Sequence, residues 1–164
     1  MKFPRVIVLA LLALGLVACG ASPVAEAERR WQAAGIGDYR IQVREVHSIW
    51  CLYDAEVNVR GGQVVSATVT AQPGPAQDCH LYVHGVVGEP VPIPPEEARQ
   101  WTVEGLFATA RILDEQRGDK GMVVTLEFDP ELGYPLTLAS DNVQATDDDR
   151  MIAIRHFEVL APID

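Results

Sequence analysis

Ala55-Glu56-Val57-Asn58-Val59-Arg60-Gly61-Gly62-Gln63-Val64-Val65-Ser66-Ala67-Thr68-Val69 alternates apolar and polar residues on both sides of a glycine pair. Strict alternation puts every second side chain on one face of a strand, so two such arms around a turn signal form a β-hairpin with one buried face. The first arm presents Ala55, Val57 and Val59 to that face, and the second presents Val65, Ala67 and Val69. A two-residue Gly-Gly loop sets Val57 opposite Ser66 and leaves the two apolar sets on opposite faces, which sacrifices a core face. A three-residue loop, Arg60-Gly61-Gly62, pairs Val57 with Val65 and Ala55 with Ala67, and this register is the expected one.

Upstream, Tyr39-Arg40-Ile41-Gln42-Val43-Arg44 alternates in the same way, with Tyr39, Ile41 and Val43 facing in. Before it, Ala21–Ala34 reads as a tether passing into a helix. Pro23 suits a first helical turn, Gly35 and Gly37 stop the helix, and Trp31 is the docking residue. Downstream, Pro73–Asp78 is a loop and His80–Val87 a short strand candidate. Pro90–Pro95 is an extended connector, because proline fixes φ and denies the helical region to its predecessor. Val103, Leu106, Phe107, Ala110 and Leu113 recur at helical spacing behind a capping Thr102, with Gly118 closing the segment. Strands are expected at Met122–Phe128, Leu136–Ala139 and Met151–Val159. This order predicts an α+β fold: a single domain with a mainly antiparallel sheet of about six to seven strands and two helices packed on one face.

The chain has 164 residues, enough for one such domain and too few for two ordinary ones. Its 23 acidic residues against 13 basic ones argue against a nucleic-acid partner, which needs a positive surface. Lys2 and Arg5 precede Val6–Val17, twelve residues without a charge, and Leu16-Val17-Ala18-Cys19 ends the run. The run is short of the roughly 20 residues a helix needs to span a bilayer, so it reads as a signal peptide. Its ending resembles the bacterial lipobox, which implies lipidation of Cys19 and cleavage before it. An ordinary cleaved signal with Cys19 unmodified is the competing reading. Two or more acyl chains give stable anchoring where one gives only reversible attachment. The expected organisation is a signal peptide at 1–18, a lipidated cysteine and tether at 19–30, and an α+β domain at 31–164. Losing Lys2 and Arg5 leaves 11 basic residues against 23 acidic ones in the mature chain. No Asp follows Cys19, so in a bacterium with two membranes the resemblance points to the outer membrane, facing the periplasm.

Two cysteines remain, Cys51 and Cys79, in a compartment that permits disulfides, and a bridge between them is expected. The competing reading is a tetrahedral metal site built from Cys51, Cys79, His80 and His84. It needs a helix where Leu81-Tyr82-Val83 reads as strand. Asp147-Asp148-Asp149 with Asp141 and Asn142 invites calcium, yet lacks the glycine and distal glutamate of an EF-hand, so a solvated turn is the expectation. His47 and His156 fall in strand segments without a local Ser or Asp arrangement. G-x-S-x-G, P-loop, H-E-x-x-H and S-x-x-K motifs do not occur. No catalytic residue, metal or cofactor is expected.

Phe128-Asp129-Pro130-Glu131-Leu132-Gly133-Tyr134-Pro135, followed by Asp141 and Asp147, resembles the signature of a family of small exported bacterial proteins and lipoproteins with a domain of unknown function. Trp31 with Asp38-Tyr39, Cys51, Val57-x-Val59-x-x-Gly62-x-Val64 and Thr102-Val103-Glu104 before Leu106-Phe107 agree in order. The resemblance runs from about Trp31 to Leu160 and implies a domain type, with no activity attached. Physically the motif is a turn: Pro130 presets φ, Gly133 permits a positive φ, and Tyr134-Pro135 is a place for a cis bond. Asp129, Tyr134 and Asp141 are the candidate recognition surface. The expected function is a membrane-anchored, non-enzymatic envelope lipoprotein that binds another envelope protein or a small ligand. An inhibitor or protective protein acting on an exported enzyme is the alternative.

Overall fold

The computed structural model describes residues 22–47, 51–72, 87–146 and 148–161. Its first element, α1 (Pro23–Ala34), starts where the Ser22 hydroxyl accepts from the Val24 amide at 3.2 Å and stops at Gly35 in the left-handed region. Val24, Ala27 and Trp31 form its buried stripe.

β1 (Tyr39–His47), β2 (Cys51–Arg60) and β3 (Gln63–Ala71) form an antiparallel meander, followed by β4 (Pro90–Pro92) and α2 (Pro95–Ala98). A 3-10 turn at Arg99–Trp101 leads into α3 (Val103–Gln116), and β5 (Met122–Phe128), β6 (Pro135–Asn142) and β7 (Arg150–Val159) complete the chain. The described strands make one seven-stranded antiparallel sheet in the order β4-β3-β2-β1-β7-β6-β5. The fold is therefore α+β, a single domain. Its helices lie on the face carrying Tyr39, Ile41, Val43, Tyr53, Ala55, Val57, Val59 and Val69, all buried. Alternation leaves Arg40, Gln42, Arg44, Asp54, Glu56, Thr68 and Thr70 on the opposite face, which no described helix covers.

The hairpin register differs from expectation. Arg60 pairs with Gln63 across a two-residue Gly61-Gly62 loop, Val59 pairs with Val64, and Asn58 pairs with Ser66. Both loop glycines have positive φ, 55° and 74°, the combination that matches strand twist in a two-residue hairpin. A bulge resolves the conflict of faces: Val65 is the extra residue, 57% exposed, and Val64 and Ala67 then join Val59 and Val57 on the core side. Further bulges fall at Arg155 between β1 and β7, and at Leu136 between β5 and β6.

The proline segment also departs from a plain connector. Pro90–Pro92 pairs with Thr68–Thr70 as an edge strand, a place in a sheet that tolerates missing N–H donors. Pro94 then leads into α2, a short helix beyond the two expected. The main helix buries Val103, Leu106, Phe107, Ala110 and Leu113 as its spacing predicts, and the Thr102 hydroxyl accepts from the Gly105 amide. It stops at Arg117, one residue before the expected Gly118. The loop at Pro73–Asp78 and nearly all of the His80–Val87 strand candidate lie outside the described residues. Val87 itself sits in a turn. β6 and β7 begin one residue earlier than expected, and β6 runs on to Asn142.

The sheet has two ends. At one lie Tyr39, the Gly61-Gly62 turn, the Asp129–Tyr134 turn and Val159; at the other lie His47, Cys51, Met122, Asn142 and Arg150. They are about 27 Å apart along nine-residue β1. α3 runs from the Tyr39 end, where its first amide, on Val103, donates to the Tyr39 hydroxyl, towards the Met122 end.

Candidate functional site

The Asp129–Tyr134 turn closes on itself. The Asp129 carboxylate accepts from the Glu131 and Leu132 amides at 3.0 and 2.7 Å, and the Asp129 amide donates to the Tyr134 carbonyl at 2.8 Å. Gly133 has φ 85°, and a Cβ there would lie 2.2 Å from the Ala27 carbonyl oxygen. Only glycine lets this turn seat on α1. Tyr134 stacks on Phe157 with ring centroids 4.3 Å apart, continuing an aromatic group in which Trp31 meets Tyr39 and Phe157 edge-on. Burial, and then the Asp129 charge, raise the Tyr134 hydroxyl pKa above its ordinary value. The Tyr134–Pro135 bond is trans rather than the cis bond considered from sequence.

The motif thus joins a turn to α1 and β7. Asp129 and Tyr134 share it, whereas Asp141 stands near the opposite end of β6, paired with Val123, about 20 Å away along the strand. Asp141 lines a shallow depression with Val123, Thr125, Ser140, Asp149 and Met151. The three candidate recognition residues do not form one surface.

A second constellation centres on Glu45, a charged residue only 2% exposed. The alternation that turns Tyr39, Ile41 and Val43 inward turns Glu45 inward as well. Its Oε1 accepts from Arg150 Nη2 and Nε at 2.6 and 3.0 Å and lies 2.6 Å from His47 Nε2. Its Oε2 accepts from Trp101 Nε1 at 2.8 Å. Burial by itself would raise this carboxyl; the hydrogen bonds from His47 and Trp101 and the Arg150 charge outweigh it and hold the pKa at about 2. The cluster ties β1, β7 and the 3-10 turn together. Both Glu45 oxygens are occupied by structural partners.

Glu104 plays a comparable part at the Tyr39 end. Its oxygens accept from Trp31 Nε1 at 3.1 Å and the Tyr39 hydroxyl at 3.0 Å, clamping α1 and β1 to the first turn of α3. Burial, followed by the Glu104 charge, pushes the Tyr39 hydroxyl far above its usual pKa. Beside this clamp is a cleft of about 560 Å³ lined by Gln63, Val64, Pro95, Arg99, Thr102 and Glu104.

The sheet face opposite the helices carries a ladder of cross-strand pairs. Arg44 grips Asp54 with two bonds of 2.8 Å, Gln72 donates to the same carboxylate at 2.7 Å, Gln42 donates to Glu56 at 2.9 Å, and Arg40 donates to Asn58 at 2.9 Å. Of these, Gln42, Arg44, Asp54, Glu56 and Gln72 line a depression of about 630 Å³ together with Thr68, Thr70 and Arg155. The arrangement is polar, charge-paired and open, suited to hydrogen-bonding a partner.

Cys51 is half-buried at the start of β2, opposite His47. Cys79, His80 and His84 lie outside the described residues, as do Cys19 and Asp147. Among the described residues no group of three or more His, Cys, Asp or Glu is placed to hold a metal ion, and no helix is long and apolar enough to cross a membrane.

A family model described as "Family of unknown function (DUF6174)" matches residues 24–159. No curated protein and no solved structure matches.

Proposed function

The chain belongs to the DUF6174 family, whose function is unknown, and from that premise we propose a membrane-anchored envelope lipoprotein whose folded domain is a non-enzymatic binding module. The observation that carries the anchoring half is the charge-free Val6–Val17 run closed by Leu16-Val17-Ala18-Cys19, a few residues ahead of the Ser22 cap of α1. Support for the binding half is the sheet face that no described helix covers, where the cations and carboxylates hold one another in fixed positions. The carboxylates Glu45, Glu104, Asp54 and Asp129 are each committed to internal partners, an arrangement that favours structure over proton transfer. The same reading joins Cys51 to Cys79 as a disulfide in an oxidising compartment.

Replacement of Cys19 tests the anchor. Wild-type protein is expected to float with membranes and to yield an acylated amino-terminal peptide, whereas Cys19→Ala is expected in the soluble fraction or as unprocessed precursor. A Cys19→Ala protein that floats normally at its mature mass overturns the reading. For the binding half, a photocrosslinker at Thr68 in the native membrane is expected to trap a stoichiometric partner that one at Glu28, on the helical side, does not.

A further inference from the structure

Among the described strands the sheet has two unlike edges. β4, at one edge, is three residues long. The Ile93 amide donates to the Ala67 carbonyl, so alternation turns the backbone of Pro90 and Pro92 outward, where proline has no N–H to offer a further strand. β5, at the other edge, runs for seven residues, Met122-Val123-Val124-Thr125-Leu126-Glu127-Phe128, with no proline and a single charge. The bulge between β5 and β6 is taken up by Leu136 on β6, which leaves β5 itself continuous. Sheet edges are ordinarily closed by lysine, proline, a bulge or shortness, and β5 carries none of these.

The Gly121 carbonyl accepts from the Val143 amide and the Asp129 amide donates to the Tyr134 carbonyl, so Val123, Thr125 and Glu127 point their backbone groups at β6. Those of Val124, Leu126 and Phe128 point outward, and among the described residues nothing pairs with them. The side chains of these three pack, half-buried, against the core, where Phe128 stacks on Phe107 with ring centroids 6.0 Å apart. The edge is therefore open in its backbone and apolar on its helix side.

Its sequence is also complementary to itself. When two copies of β5 run antiparallel about a two-fold axis at Thr125, Met122 falls opposite Phe128 and Val124 opposite Leu126 on the helix side. Val123 falls opposite Glu127, and Thr125 opposite Thr125, on the other side. Apolar residues meet apolar ones, threonine meets threonine, and the two Glu127 carboxylates stand about 13 Å apart along the strands. A slip of one residue would set the helix side of one copy against the polar side of the other. We propose that β5 is a homodimer interface, at which a second copy of this chain adds its own β5 in antiparallel register about Thr125 and joins the two sheets into one. Both helix layers then lie on the same face, and the polar ladders opposite them lie on one shared face. The interface does not depend on the state of Cys19.

Cysteine crosslinking reads this register. Thr125 is exposed, and across the axis its two copies form a non-hydrogen-bonded pair with Cα atoms about 4.5 Å apart, within disulfide reach. Full-length Thr125→Cys protein, oxidised in intact cells, is expected to give a covalent dimer on a non-reducing gel, above the background that the native cysteines give in wild type. Val123→Cys alone and Glu127→Cys alone are expected to stay at that background, about 13 Å from their own counterparts, whereas the two co-expressed are expected to crosslink to each other. Absence of a Thr125→Cys dimer, equal crosslinking of Val123→Cys by itself, or capture of a protein of another mass in place of a second copy overturns the proposal. Thr125→Lys and Thr125→Glu, each of which sets like charges across the axis at an exposed position, supply a second test. Each is expected to keep the wild-type circular dichroism and lose the dimer that wild type shows in sedimentation of the purified full-length protein, and a mixture of the two is expected to recover it. A dimer that both variants retain at the wild-type level overturns the interface.

Discussion

Glu45 has a depressed pKa, so its contribution to stability is present above its ordinary value of 4.5 and is lost as pH falls through about 2. Over that window the linkage amounts to roughly 3 kcal/mol. Glu45→Gln keeps the shape but removes the charge that Arg150 and His47 face. Since Arg150 is partly solvated, the expected loss at neutral pH is about 2–3 kcal/mol, near or below the usual cost of breaking a buried pair. Denaturant melts at pH 7, 5 and 3 check both points: the gap between wild type and variant should be largest at pH 7 and narrow at pH 3. A constant gap would mean that Glu45 acts through packing alone. The residue was legible in principle, because the period-two pattern of β1 points it inward. Its partners were not, because Trp101 and Arg150 lie 56 and 105 positions away and no local pattern announces them.

At the scale of elements, the elements with one uninterrupted period were legible and those with a broken period were not. The stripe Val103, Leu106, Phe107, Ala110, Leu113 and the Thr102 cap specify α3 without tertiary help. The hairpin needed one fact that alternation does not contain, that Val65 is extruded so that a two-residue turn and a continuous core face coexist. The proline run reads as extended, but whether it pairs depends on a free sheet edge. The Phe128–Pro135 signature was visible, and its role became clear only with α1 alongside. Gly133→Ala therefore carries a prediction. The added methyl meets the Ala27 carbonyl at 2.2 Å and the backbone must hold φ 85°, so a loss of about 2–4 kcal/mol is expected. Gly35→Ala shares the left-handed conformation with open space around it, and about 1 kcal/mol is expected. Thermal melts of the two variants compare them, and equal losses would show that the turn does not depend on its contact with α1. Thr102→Ala, which removes the α3 cap, should cost about 1 kcal/mol in the same measurement.

For the molecule as a whole, sheet order sets what a covalent link between Cys51 and Cys79 achieves. Cys51 begins β2 inside the sheet, and β3 ends beside it, with the Gln72 amide on the Leu52 carbonyl. Beyond the segment that carries Cys79, the Gly88 amide donates to the Ala71 carbonyl at 2.8 Å. The excursion containing Cys79 therefore starts and finishes close to Cys51, so a bridge is compatible with the strand pairing. Closing the loop between the two cysteines removes unfolded-state entropy worth about 3–4 kcal/mol. Because the proposed link constrains mainly the unfolded chain, the Cys51→Ser/Cys79→Ser double variant should keep the wild-type circular dichroism spectrum while its denaturation midpoint falls. Wild type in reductant should fall to the same midpoint, and reductant should leave the double variant unchanged. A wild type insensitive to reductant, with free thiols at both positions by mass spectrometry, would refute the bridge.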